Sequence, residues 1–129
     1  MKYSIDKKEE YVVLCIEEEN MNSVKAPELK SEIILLHSSG IQNLVIDLSS
    51  VKFIDSSGLS AILTGNRLWQ ESGGMFVLAG IKHPSVKTLI TISRLDSVLT
   101  IREDVNDASK YVMMEMLKSE LSSDGPVEE

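Results

Sequence analysis

The chain has a single cysteine, Cys15, among its 129 residues. That excludes an internal disulfide and any zinc site built from several cysteines. Cys15 lies in the apolar run YVVLCI without a nearby base or second thiol, a setting in which a free cysteine packs as a small hydrophobe rather than acting as a redox centre. Histidine is nearly as scarce. His37 and His83 are the only imidazoles, and neither sits in a triad or a metal-ligand spacing. His37 falls in the last turn of a helix-like segment and His83 precedes a proline that opens another, so dipole, capping or surface roles are expected of them. Clusters of lysine and arginine are absent and the formal net charge is -7, which argues against a phosphate-tracking surface and so against nucleic acid as a partner. The longest wholly apolar stretches run only a few residues, whereas a membrane-crossing helix needs about twenty. No membrane insertion is expected. The opening MKYSIDKKEE turns polar where an export signal would turn apolar, so a cytoplasmic location is expected.

What is present fits one soluble domain. Hydrophobic residues make up 43% of the chain and charged residues 26%, a globular balance in a length that supports one core. Residues 1–120 are expected to form that domain. Residues 121–129, ending in SSDGPVEE, have too little apolar surface to offset their ordering entropy and are expected to be a disordered acidic tail.

Strand-like and helix-like segments alternate along the domain. Tyr11 to Ile16, Leu44 to Leu48, Met75 to Ala79 and Val98 to Ile101 are short and bounded by polar or glycine residues, as strands are. Tyr3 to Asp6 adds an edge strand, pairing with Tyr11 to Ile16 through the charged turn KKEE. A first helix covers APELKSEIILLHSSG, with Pro27 in its opening turn and Leu29, Ile33 and Leu36 at helical spacing. Leu59, Ile62, Leu63, Leu68 and Trp69 outline a second, closed by Gly73 and Gly74. A third starts at Pro84 and a fourth is capped by Asp104. This alternation predicts an α/β fold: a mostly parallel sheet of four or five strands with about four helices.

The stretch FIDSSGLSAIL, Phe53 to Leu63, carries the chemistry. Asp55, Ser56 and Ser57 occupy the loop that feeds the second helix, where free backbone N–H groups and the positive end of the helix dipole favour a nearby anion. Gly58 removes a side chain there and is expected to leave the hydroxyls approachable by another macromolecule. Ordinary capping accounts for the same residues, so the position alone does not prove a function. Catalytic templates fail on spacing. GLSAI ends in isoleucine where a nucleophile elbow needs a second glycine, and no glycine is followed by the lysine and hydroxyl of a Walker loop. Ser49 and Lys52 share an S-x-x-K spacing, but the companion motifs are missing. REDVNDAS has Ser109 where a calcium loop needs its sharp-turn glycine, and Asp104 reads better as a helix cap. No catalytic residue, metal site or cofactor is expected.

The order of a strand, FIDSSGLSAIL, a glycine pair, the strand MFVLAGI and then HPSVKTLITISRLDSVLTI closely resembles the STAS family, named for sulfate transporters and anti-sigma-factor antagonists. The likeness runs from about Tyr3 to Leu117, and Asp55-Ser56-Ser57-Gly58-Leu59 is its most specific part. The resemblance implies a non-enzymatic anti-sigma factor antagonist in a bacterial partner-switching system that regulates transcription through a sigma factor. In that arrangement the unphosphorylated protein binds an anti-sigma factor that is also a serine kinase. The kinase phosphorylates the first serine of the motif, which is Ser56 here with Ser57 as second choice, and a PP2C-type phosphatase reverses the step. The partner surface implied by the family comprises Asn20, Met21, Asn22 and Ser23 from the loop after the second strand, with Asp55, Ser57, Gly58 and Leu59. That loop reads EEENMNSVKAPEL and departs from the G-x-L-D-like stretch of many antagonists. Gly65, Asn66, Arg67 and the ISRLD run around Arg94 follow the family pattern. The family also includes accessory or scaffold subunits of lipid-transport ABC systems and stress-sensing assemblies, and a nucleotide or anion sensor at the helix start is a third possibility.

Overall fold

A computed structural model describes residues 1–123. Its framework is a five-stranded sheet ordered β1-β2-β4-β6-β7, built from β1 (Tyr3–Lys7), β2 (Val12–Ile16), β4 (Asn43–Asp47), β6 (Met75–Ala79) and β7 (Thr100–Arg102). Only β1 runs antiparallel, paired with β2 from Tyr3 opposite Ile16 to Lys7 opposite Val12. The other three pairings are parallel. The expected α/β layering, edge strand and mostly parallel sheet are all present, with five strands and four helices. A separate two-stranded parallel pair joins β3 (Asn20–Met21) to β5 (Phe53–Ile54). It was not anticipated, since two residues are too few to show an alternation.

The pleat sorts the side chains. Val12, Leu14 and Ile16 of β2, Leu44 and Ile46 of β4, and Phe76 and Leu78 of β6 point to one face, where α1 (Ala26–Ser38), α2 (Ser56–Ser72) and α3 (Pro84–Ile92) cover them. Val13, Val45, Val77 and Ala79 point to the other and meet Ala108 and Val112 of α4 (Val105–Ser123). Trp69 is fully buried and its indole N–H donates to the Ile41 carbonyl at 3.1 Å, so its one polar atom is satisfied. Each fully buried leucine, isoleucine or valine of the core contributes about 1.5–3 kcal/mol.

Two local differences from the expectations have simple causes. The last strand begins at Thr100 rather than Val98, because a 3-10 turn at Leu95–Ser97 precedes it and Leu99 N–H still bonds to the Leu95 carbonyl at 2.8 Å. Helix α4 extends to Ser123, three residues into the stretch expected as tail, since propagating a helix already nucleated adds one hydrogen bond per residue. The remainder of that tail lies outside the described residues. His37 does sit in the last turn of α1, where its Nε2 lies 3.1 Å from Ser72 Oγ and its ring meets Trp69 edge-on.

Helix α2 can lie close to β6 because position 65 is glycine. A Cβ there would approach the buried Phe76 ring to 2.5 Å and Ile33 Cγ2 to 3.0 Å. Gly65→Ala is therefore expected to lower the unfolding free energy by about 1–3 kcal/mol through overpacking, read as a lower urea midpoint with native far-UV circular dichroism in the absence of denaturant.

Candidate functional site

The site is assembled at the carboxyl end of the parallel strands, the region where open α/β sheets place their binding residues. After β4 the chain crosses through Leu48 to Lys52, forms β5 and turns directly into α2. Asp55 is the N-cap of that helix, in extended conformation, and one carboxylate oxygen accepts from Ser57 N–H at 2.9 Å and Gly58 N–H at 3.2 Å. Its own carbonyl accepts from Leu59 N–H at 3.0 Å. Ser56 is thus the first residue of α2 and is exposed, while Ser57 is half-buried. Asp104 caps α4 in the same manner, accepting from Asp107 N–H at 2.7 Å, in agreement with the cap reading of REDVNDAS.

The loop expected beside the serines is there, and backbone bonds hold it. Glu19 carbonyl accepts from Lys52 N–H at 2.7 Å and Phe53 N–H at 3.0 Å, and Met21 carbonyl accepts from Asp55 N–H at 3.3 Å. Asn22 turns the chain into α1: its side-chain oxygen accepts from Val24 and Lys25 N–H, and its carbonyl from Lys25 and Ala26 N–H. The start of α3 is tied to the same loop through a hydrogen bond from Ser85 Oγ to the Lys52 carbonyl.

Burial divides the expected partner residues. Asn20, Ser23, Asp55 and Ser56 are exposed, Asn22 and Ser57 are half-buried, and Met21, Gly58 and Leu59 are buried. The last three support the surface from beneath rather than form it. Gly58 does not serve mainly to open the hydroxyls to a visitor, as its absent side chain suggested. A Cβ at this position would meet Ile54 Cγ1 at 2.6 Å, the Met21 carbonyl at 2.8 Å and Met21 Cγ at 2.9 Å, so the glycine lets α2 sit on the β3–β5 pair. The helix start is also less open to an added anion than its dipole alone suggests, because Asp55 already takes two of its N–H groups.

Electrostatics reinforce this clamp. Glu18 accepts from Lys25 Nζ and from Lys2 N–H, both at 2.6 Å, which pins the loop between β1 and α1. The Lys25 hydrogen bond, then the Lys2 amide, hold the Glu18 carboxyl below its ordinary range. Lys52 pairs with Glu19 at 3.3 Å. Cys15, opposite Asp47 in the β2–β4 register, is half-buried, and burial followed by the Asp47 charge pushes its thiol up. A thiol so disfavoured as thiolate is a poor nucleophile. His83 stands at the N-cap position of α3 without a side-chain capping bond. Sequence reasoning missed Glu18 and Ser85; their roles depend on contacts that no local spacing encodes.

Between the first turns of α1 and α2 runs an open groove, with Ser23, Pro27 and Lys30 on one wall and Ser56, Ser57 and Ser60 on the other. No helix of the described residues is long and apolar enough to cross a membrane. The profile of the STAS domain matches residues 2–108. The chain belongs to the STAS domain family. It is 28% identical over 101 residues, 78% of this chain and 85% of the other, to the Bordetella bronchiseptica protein BtrV, which is named as an anti-sigma factor antagonist. The phosphorylated form of the Bacillus cell-fate determinant SpoIIAA superposes with a TM-score of 0.66 at 15% identity, covering 85% of this chain and 99% of that one. A chain of the stressosome, a signal integration and transduction hub, matches with a TM-score of 0.70 at 25% identity, over 88% and 98% respectively.

Two outcomes test this construction of the STAS site. Asp55→Ala removes the cap acceptor and is expected to cost about 0.5–2 kcal/mol of stability, with amide exchange at Ser57 and Gly58 accelerating before that of the sheet. Glu18 has a depressed folded-state pKa, so its stabilisation is full above the unfolded value and vanishes as pH falls through the folded one. Glu18→Gln should consequently be less stable than the parent at pH 7 and converge with it in acid, in denaturation curves recorded across the carboxylate range.

Proposed function

We propose that this STAS protein is an anti-sigma factor antagonist whose partner binding is switched by phosphorylation at Ser56. One observation carries the reading: an exposed serine hydroxyl stands at the first residue of a helix whose start is rigidly clamped to the sheet, within a family that includes named antagonists. Unphosphorylated, the groove wall and the Asn20–Ser23 loop form a preformed docking surface for an anti-sigma factor that also acts as a serine kinase. With ATP as donor, Ser56 Oγ bonds to the γ-phosphorus as the bond to ADP breaks, and the hydroxyl proton passes to a base of the kinase. A PP2C-type phosphatase hydrolyses the ester and restores the hydroxyl. Ser57 is the weaker acceptor because it is half-buried.

The energetics favour a switch in binding rather than in fold. Phosphorylation adds about -1.5 to -2 charges at a solvent-facing position, so no buried group of the domain loses its partner. A docked protein instead meets bulk and charge where a hydroxyl stood, next to the Asp55 carboxylate of the same sign. An unpaired charge introduced into a desolvated interface weakens it by roughly 2–5 kcal/mol. The likeness to a stressosome chain favours a second reading, a scaffold subunit of a stress-sensing assembly.

Incubation with ATP and the anti-sigma kinase, followed by intact-mass and peptide analysis, is expected to show one phosphoryl group on Ser56. Calorimetry with that kinase should find Ser56→Ala binding like the unmodified parent and Ser56→Asp binding at least tenfold more weakly, both with native circular dichroism. Equal affinities would reject the switch, and a chain that stays unmodified while assembling into a large complex would favour the scaffold reading.

A further inference from the structure

We propose that Lys30 is the internal counter-charge of phosphorylated Ser56, holding the phosphate across the groove between α1 and α2. The inference rests on the reading that Ser56 is the acceptor and extends it to the fate of the phosphate once attached. A phosphoserine at a helix start would ordinarily take the free N–H groups of the first turn. Here Ser57 and Gly58 N–H are bound to the Asp55 carboxylate, and Leu59 N–H to the Asp55 carbonyl. The phosphate therefore arrives beside a like charge at a terminus whose donors are largely used. It needs a cation from another element.

Lys30 is the cation of the groove that Ser56 faces; neither histidine lines it. Two lysines of the neighbouring loops are already paired: Lys25 with Glu18 at 2.6 Å and Lys52 with Glu19 at 3.3 Å. Lys30 is exposed and has no ion pair among the described residues. Its helical neighbours Glu28 and Glu32 are turned to the N-terminal segment, bonding the Met1 ammonium and the Tyr3 hydroxyl, each at 2.7 Å. The two helices that carry Lys30 and Ser56 share one core cluster through the buried Leu29, Ile33, Ala61 and Ile62, and both residues line the same groove. Small walls at Ala26 and Ala61 leave the groove open for a lysine to swing over it. Modification would then do two things at once: place charge on the docking surface, and draw a side chain across the groove that the partner would otherwise enter.

The test needs no kinase. Phosphoserine is installed at position 56 during translation in the full chain, and the 31P shift is followed through the second ionisation of the phosphate. An ammonium nearby favours the dianion and lowers the midpoint, so Lys30→Met or Lys30→Gln should raise it by about 0.2–0.7 unit, with the difference shrinking as salt is added. Lys30→Arg should stay close to the parent. Lys110→Met, on α4 across the sheet, reports any general charge effect. Midpoints that agree between Lys30→Met, Lys30→Gln and Lys110→Met would overturn the proposal. That failure is separable from failure of the switch itself, which would show as unchanged partner affinity on phosphorylation whatever the midpoint.

Discussion

The backbone contact between Met21 and the start of α2 is the constraint on which the site depends. Met21 carbonyl accepts from Asp55 N–H, and the same oxygen would lie 2.8 Å from a Cβ on Gly58. Two segments separated by more than thirty residues are thereby held at van der Waals distance. Because Asp55 is anchored by its N–H, its carboxylate is aimed at Ser57 and Gly58, and because those amides are fixed, Ser56 has one place to stand. The hydroxyl is presented by a rigid support although it lies at a loop-to-helix junction. A partner meeting it would need little ordering of the site, so under the proposed switch a hydroxyl-to-phosphate change would act on affinity rather than on folding.

The clamp also explains why the β3–β5 pair exists. A two-residue pairing contributes little stability by itself. Its value lies in joining the loop after β2 to the loop after β4, so that the surface around Ser56 is built from both. Glu18 extends the same fastening backward to Lys2 and Lys25, and Ser85 extends it forward to α3. The site is a convergence of four chain segments on one end of the sheet, whereas the hydrophobic core beneath is a simple alternation of strand faces.

That difference decides what could be read from the sequence. The strands were legible because the apolar runs around Leu14, Leu44 to Ile46 and Val77 to Leu78 are short and bounded by polar or glycine residues, and the first helix because Leu29, Ile33 and Leu36 follow a helical period. Asp104 and Asp55 were legible as caps because capping is local. The DSSGL motif located the serine. What the sequence could not show was which neighbours lie underneath. Gly58 read as an opening and proved to be a contact; Met21 and Leu59 read as surface and proved to be floor. Glu18, Lys30 and Ser85 carry no motif, since their partners come from other elements and only the packed fold brings them together.

An acidic protein can still use a phosphate as a switch if the new charge is managed locally. Net charge is a property of the whole surface and is screened over about 8–10 Å at physiological ionic strength, so the -7 of the chain matters less to Ser56 than the few groups around it. Those groups are arranged unequally. Glu18 and Glu19 are neutralised by Lys25 and Lys52, Asp55 is spent on amides, and a lysine is left over on the facing helix. Among these named groups the charges are even, and under the proposed switch the phosphate itself would tip them negative. A surface arranged this way would tolerate the proposed charge inside the domain, while a partner fitted to the unmodified groove would confront both the phosphate and the side chain drawn toward it.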